Sequence, residues 1–150
     1  MINIRNGLFE TNSSSCHSIS IAPVNNNLKS SLDIMKPDSN GRVVIDAYEF
    51  GWGYETYNDC YAKAAYCAID NKHNEERMEM LVDVIKEMTG AQEIEFNFTT
   101  DWDINSTGKE YAYIDHNSLG TSAIAFRSKT TLINFIFSPN SILYIDNDNH

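Results

Sequence analysis

The sequence predicts a single α+β domain, with a mainly antiparallel sheet of about five or six strands and two or three helices. Three observations carry this expectation. Short runs that alternate apolar and polar residues, or are rich in β-branched and aromatic residues, recur along the chain. Two longer segments place apolar residues at helical spacing instead. The two kinds do not alternate regularly, as a parallel βα repeat would require. At 150 residues the chain fits one domain, and its 42% hydrophobic content supplies a core without disulfides or metals.

Taken in order, Ile2 and Ile4 alternate with polar neighbours, as do Ile19 and Ile21, and Pro23 closes the second run. Between them lies "NSSSCHS" at 12–18, expected to be a polar loop. Residues 24–41 read as loop, with one helical turn around 28–35. "RVVIDAYEF" at 42–50 is a strong strand, broken by "GWG". Residues 58–71 form a helix capped by Asn58, with Tyr61, Ala64, Ala65, Ala68 and Ile69 as its apolar stripe. Cys60 and Cys67 share one face of it as packed thiols.

Residues 74–89 give the clearest helix. Asn74 caps it, Glu75 and Glu76 favour its dipole, and Gly90 ends it. Its stripe is Met78, Leu81, Val82, Ile85 and Met88. "EIEFNFTT" at 93–100 alternates, turning Glu93, Glu95 and Asn97 to water. It is expected to pair with "EYAYID" at 110–115 as a hairpin across 101–109. A short helix at 129–137, ended by Pro139, and a strand at 141–146 complete the chain.

Charge narrows the function classes. Eleven basic and 21 acidic residues give −10, and the isoelectric point is near 4.6. Such a surface repels phosphates, so direct nucleic-acid binding is not expected. No apolar run approaches the ~20 residues of a membrane-spanning helix, and the N-terminus lacks a secretory pattern. A cytoplasmic protein is expected, with no membrane contact. The segment 91–115 holds Glu93, Glu95, Asp101, Asp103, Glu110 and Asp115 against one base, Lys109. An acidic face of this kind suits a basic partner, and nucleic-acid-handling proteins are the commonest such partners. Phe50, Trp52, Tyr54, Tyr57 and Tyr61 crowd a second stretch among Glu49, Glu55 and Asp59. Phe50 and Trp52 suit a core edge, whereas Tyr54 and Tyr57 suit an interface.

Cofactor and metal motifs are not expected. "GWG" is no phosphate loop, the three cysteines lack C-x-x-C spacing, and His17, His73, His116 and His150 do not pair at ligand spacing. "DNDNH" at 146–150 begins like a calcium loop but lacks its glycine and distal glutamate. For nucleophilic catalysis, Cys16 and His17 are strand neighbours and face opposite ways. The enzyme alternative therefore draws on Ser13, Ser14, Ser15, His17, His116 and Ser118; Asp115 would point away from the face His116 shares with Ser118, so an acid would come from elsewhere, for example Asp146. The structural reading makes "NSSSCHS" a rigid plug folded against "DHNS" at 115–118, and it is preferred.

"RNGLFETNSSSCHSI" at 5–19 resembles the opening of a group of small phage and prophage proteins of low-GC bacteria, with a pattern close to R-x-G-x-F-E-T-N-S-S-S-x-H-S. The resemblance extends to "EFGWGYETYNDCYAKAAY" at 49–66, "YIDHNSLGT" at 113–121 and "INFIFSPNSILYIDNDN" at 133–149. It implies a phage or mobile-element origin and no particular chemistry. Its patterned polar positions fall on Asn12, Ser13, Ser14, Ser15, His17, Asp115, His116 and Ser118, and residue 16 varies. The expected function is therefore an acidic protein that binds and inhibits a host defence effector in an anti-CRISPR-like way, with a basic host protein as partner. Glu93, Glu95, Asp101, Asp103, Tyr54 and Tyr57 are its expected partner-binding residues. A small hydrolase or transferase with a pocket between "NSSSCHS" and "DHNS" is the alternative, and a phage structural or assembly component is the third.

Overall fold

One helix organises the domain, and the reason is legible in its composition. Helix α1 spans Cys60–Asp70, and every residue from Ala62 to Ile69 is buried. A helix buried on every face must be surrounded by protein, and Lys63 is the one charged residue in that run. Its four alanines, Ala62, Ala64, Ala65 and Ala68, keep it thin, so neighbours approach closely on several sides. The computed structural model describes residues 15–24, 35–51, 54–100, 108–114 and 120–147. Among these, strands β1 (Ser15–Ser20), β2 (Arg42–Asp46), β3 (Glu49–Phe50) and β4 (Tyr54–Tyr57) precede α1. Helix α2 (Glu75–Thr89), strands β5 (Glu93–Asn97) and β6 (Tyr113–Ile114), a 3-10 helix (Thr121–Arg127), helix α3 (Lys129–Phe137) and strand β7 (Ile142–Asn147) follow.

The α+β class holds, with seven strands rather than five or six. The largest sheet is antiparallel, in the order β1-β7-β4. Leu143 in central β7 lies opposite Ile19 on one side and Tyr57 on the other. Two parallel pairs complete the set: β2 with β5, where Val43 faces Ile94, and β3 with β6, where Glu49 faces Tyr113. The expected hairpin across 101–109 is overturned. Thr99 bridges Tyr111 in parallel, and the chain after 108 runs in the same direction as β5. Long-range pairing of β6 with β3 sets this direction, and turn composition cannot reveal it.

Local signals place the helices. Asn74 accepts from the Arg77 amide and Gly90 closes α2 with φ 78°, a left-handed angle that suits glycine. Ser128 caps α3 by accepting from the Thr131 amide. On α1 the cap is Asp59, which accepts from the Ala62 amide at 3.0 Å, and not Asn58. The carboxylate one residue later holds the same orphan amide and adds charge at the dipole's positive end. The 3-10 helix and β4 were not expected. Ser15–Ser18, expected in a loop, lie in β1. Val82, expected in the apolar stripe of α2, stays outside the core cluster, while Leu81, Val84 and Ile85 are fully buried. No helix among the described residues is long and apolar enough to cross a membrane.

Candidate partner-binding site

The described candidate residues fall mainly in two places: the junction of β1 with the start of the 3-10 helix, and the acidic outward face of the β2–β5 pair. At the junction, His17 Nδ1 lies 2.9 Å from the Tyr66 hydroxyl of α1. Tyr66 is fully buried, and its phenol also bonds Thr121. Asp70, one turn along α1, accepts from the Gly120 amide at 2.7 Å, the Ser122 amide at 3.0 Å and the Ser122 hydroxyl at 2.5 Å. Asn71 donates to the same hydroxyl at 2.9 Å. A carboxylate that gathers successive backbone amides fixes the start of a helix and needs no solvent. Polar side chains of α1 therefore pin β1 and the 3-10 helix onto the core.

Of the expected catalytic residues, Ser13, Ser14, His116 and Ser118 lie outside the described residues, and Ser15 opens β1. His17 meets a buried tyrosine whose phenol burial holds well above its ordinary pKa, so Tyr66 keeps its proton and is not an activated nucleophile, and the contact anchors β1 to α1. Burial, reinforced by Asp70, likewise pushes the Cys67 thiol up and removes it as a nucleophile. Among the described residues, no three His, Cys, Asp or Glu side chains converge as metal ligands.

The acidic face follows from strand alternation. Val43 and Ile45 point into the core, so Arg42, Val44 and Asp46 point out, beside Glu93, Glu95 and Asn97 of the paired strand. Glu93 and Asp46 are exposed, and Asn97 donates to Asp46 at 3.1 Å. Glu95 is half-buried and holds Arg42 at 2.9 Å, so part of its charge is already answered. Asp101 and Asp103 lie outside the described residues. Next to this face a cleft of about 320 Å³ is lined by Val44, Asp46, Tyr48, Asp59 and Tyr61. Its walls are stiff: Tyr48 donates to Asp59 at 3.3 Å and stacks on buried Phe50 with centroids 5.5 Å apart. Two carboxylates beside two tyrosines can hold a cation, by charge and by the ring faces.

The expected aromatics divide. Phe50 is core, as anticipated, and Trp52 lies outside the described residues. Tyr54 is 67% exposed. Tyr57, expected as an interface residue, is half-buried, packs edge-on against Phe50 and Tyr48, and donates to Glu55. The cleft itself was missed, although the alternation in 42–48 already puts Val44, Asp46 and Tyr48 on one face.

These environments predict alkaline sensitivity. Tyr48 is pushed up to about 12, first by burial and then by Asp59. Burial raises Tyr57 and Tyr66 as well, and the Cys67 thiol. Each group binds its proton more tightly folded than unfolded. Its contribution to stability is therefore complete below the ordinary values of 9.0 for the thiol and 10.0 for the phenols, and is lost as pH rises through the folded values. The urea midpoint is expected to fall steadily from about pH 9 to about pH 12. A midpoint flat across that window contradicts these environments.

No family model matches the chain, and no curated protein or solved structure is significantly similar to it.

Proposed function

We propose that this chain is an acidic phage or mobile-element protein that binds a basic, nucleic-acid-handling host protein and inhibits it, in an anti-CRISPR-like way. The observation that carries the reading is the stiff cleft of Asp46, Asp59, Tyr48 and Tyr61 beside the acidic edge at Glu93. A lysine or arginine of the partner enters the cleft, its charge between the carboxylates and its stem along the tyrosines. Glu93 and Glu95, with Asp101 and Asp103 after them in sequence, stand in for the phosphates that a basic groove would otherwise hold. Tyr54 is the exposed aromatic available to the rim. The overall charge of −10 steers the encounter and makes it salt-sensitive. The phage-like opening at 5–19 supports the setting, a host cytoplasm containing defence nucleases.

Titration into a DNA-cleavage assay of a purified CRISPR-type nuclease tests this reading. Cleavage is expected to fall linearly to its floor near one equivalent of protein. Loss of activity at far lower ratios, growing with time, supports the enzyme alternative instead. Recovery of the chain in purified phage particles supports the structural one.

A further inference from the structure

Helix α2 carries a second acidic surface, apart from the Asp46–Asp59 cleft. Glu75, Glu79, Asp83 and Glu87 follow one another at four-residue steps, and all four are exposed. Carboxylates at this spacing lie in one row and repel along the helix, so the row weakens the helix that displays it. The helix dipole offsets the repulsion at Glu75, in the first turn. Lys129 offsets it at Glu87, at 2.7 Å. Glu79, in mid-helix, has neither, and no cation among the described residues is in ion-pair contact with it. A helix shaped for stability alone would alternate the signs.

The row borders an apolar floor. Met78 and Val82, one turn apart, line a shallow groove of about 350 Å³ with Glu75, Glu79 and Asp83. Val82 belongs to this groove and not to the core, and half-buried Met78 reaches both. A methionine beside a branched aliphatic residue adapts readily to a partner's side chains.

We infer that this face docks an amphipathic basic helix of a partner protein. Glu75 to Glu87 covers about 18 Å of helix axis, the reach of roughly twelve residues of a facing helix. Lysines or arginines spaced one turn apart on that helix meet the carboxylate row, and its apolar stripe covers Met78 and Val82. Charge selects this occupant. A second copy would set the same acidic row against itself, with −10 on each chain. Nucleic acid and anionic membrane are repelled for the same reason. The surface lies on an element separate from the Asp46–Asp59 cleft, so the inference stands or falls without it.

The test uses the full chain and two synthetic peptides of about fourteen residues with identical leucine and lysine content, one amphipathic as a helix and one scrambled. In methyl NMR spectra the amphipathic peptide is expected to shift Met78 and Val82, and added salt is expected to reverse the shift. Glu79→Lys turns two repulsive pairs into attractive ones, so its Tm is expected to be no lower than that of the natural chain. Its affinity for the peptide is expected to fall about tenfold or more. Val82→Ser is expected to weaken binding with the carboxylate row intact. Equal binding of the scrambled peptide, shifts confined to other elements, or unchanged affinity of Glu79→Lys overturns the inference. So does the same methyl response to calcium chloride alone.

Discussion

Lys63→Ala is expected to cost about 3–5 kcal/mol of folding stability, a large part of the 5–15 kcal/mol typical of a domain. Lys63 is completely buried in α1. Its ammonium donates to the Ser138 carbonyl at 2.8 Å and the Ser141 carbonyl at 2.9 Å, and sits 5.8 Å from the centroid of the Phe135 ring. These carbonyls belong to the turn joining α3 to β7, where the dipole of α3 favours a cation. Removing the side chain leaves two buried acceptors short of a donor, about 1–3 kcal/mol for the pair, since losing the buried charge also removes its desolvation cost. It also opens a cavity between α1 and α3, at a further ~2 kcal/mol or more. Lys63→Met keeps the volume and loses only the polar contacts, so its loss should be smaller. Urea unfolding followed by circular dichroism checks both, and Tm should fall roughly 10–15 °C for the alanine variant. A loss under about 1 kcal/mol for Lys63→Ala would mean that this buried lysine does not tie the turn to the core.

Lys63 also shows where sequence reasoning stops. Alone, a lysine in a helix reads as a solvated residue, and only the surrounding alanines hint that α1 has no solvent face. The elements that could be read in advance are those whose causes are local. Asn74 and Gly90 bracket α2, Pro139 follows α3, and the alternation in 42–46 sets the inward pair Val43 and Ile45. The elements that could not be read depend on distant partners. The 3-10 helix begins where Asp70, about fifty residues earlier, gathers the amides of Gly120 and Ser122. Strand β4 exists because β7 pairs with it, and β6 takes its direction from β3. The same division holds for the site. Glu93 was legible as an outward residue of an alternating strand, but Asp59 joins the cleft only because it caps α1 beside β2. Glu95 was legible as acidic, yet its pairing with Arg42 needed the parallel register.

Reversing one charge in the cleft, at Asp46, and one at the far end of the acidic β2–β5 face, at Glu93, is expected to have the largest effect on function. Asp46→Lys with Glu93→Lys replaces two exposed carboxylates, neither of which supports the core; Asp46 gives up one surface hydrogen bond from Asn97. Glu95 is left in place because its reversal would also break the ion pair with Arg42. Asp59 is left in place because it caps α1. Close charge pairs in an interface couple by about 1.5–7 kcal/mol. Loss of two such pairs, with repulsion in their place, should weaken the complex by about a hundredfold or more. The effect should shrink as salt is added, since exposed charges are screened beyond a Debye length of about 8–10 Å.

In the proposed complex this acidic cleft engages a basic partner one to one. The most direct measurement is a parallel titration of the natural chain and the Asp46→Lys/Glu93→Lys variant into the same nuclease, reading cleavage and complex formation together. An endpoint near one equivalent is expected for the natural chain, and neither complex nor inhibition at that ratio for a variant whose circular dichroism and Tm are unchanged. Equal inhibition by both proteins would contradict this mode of engagement.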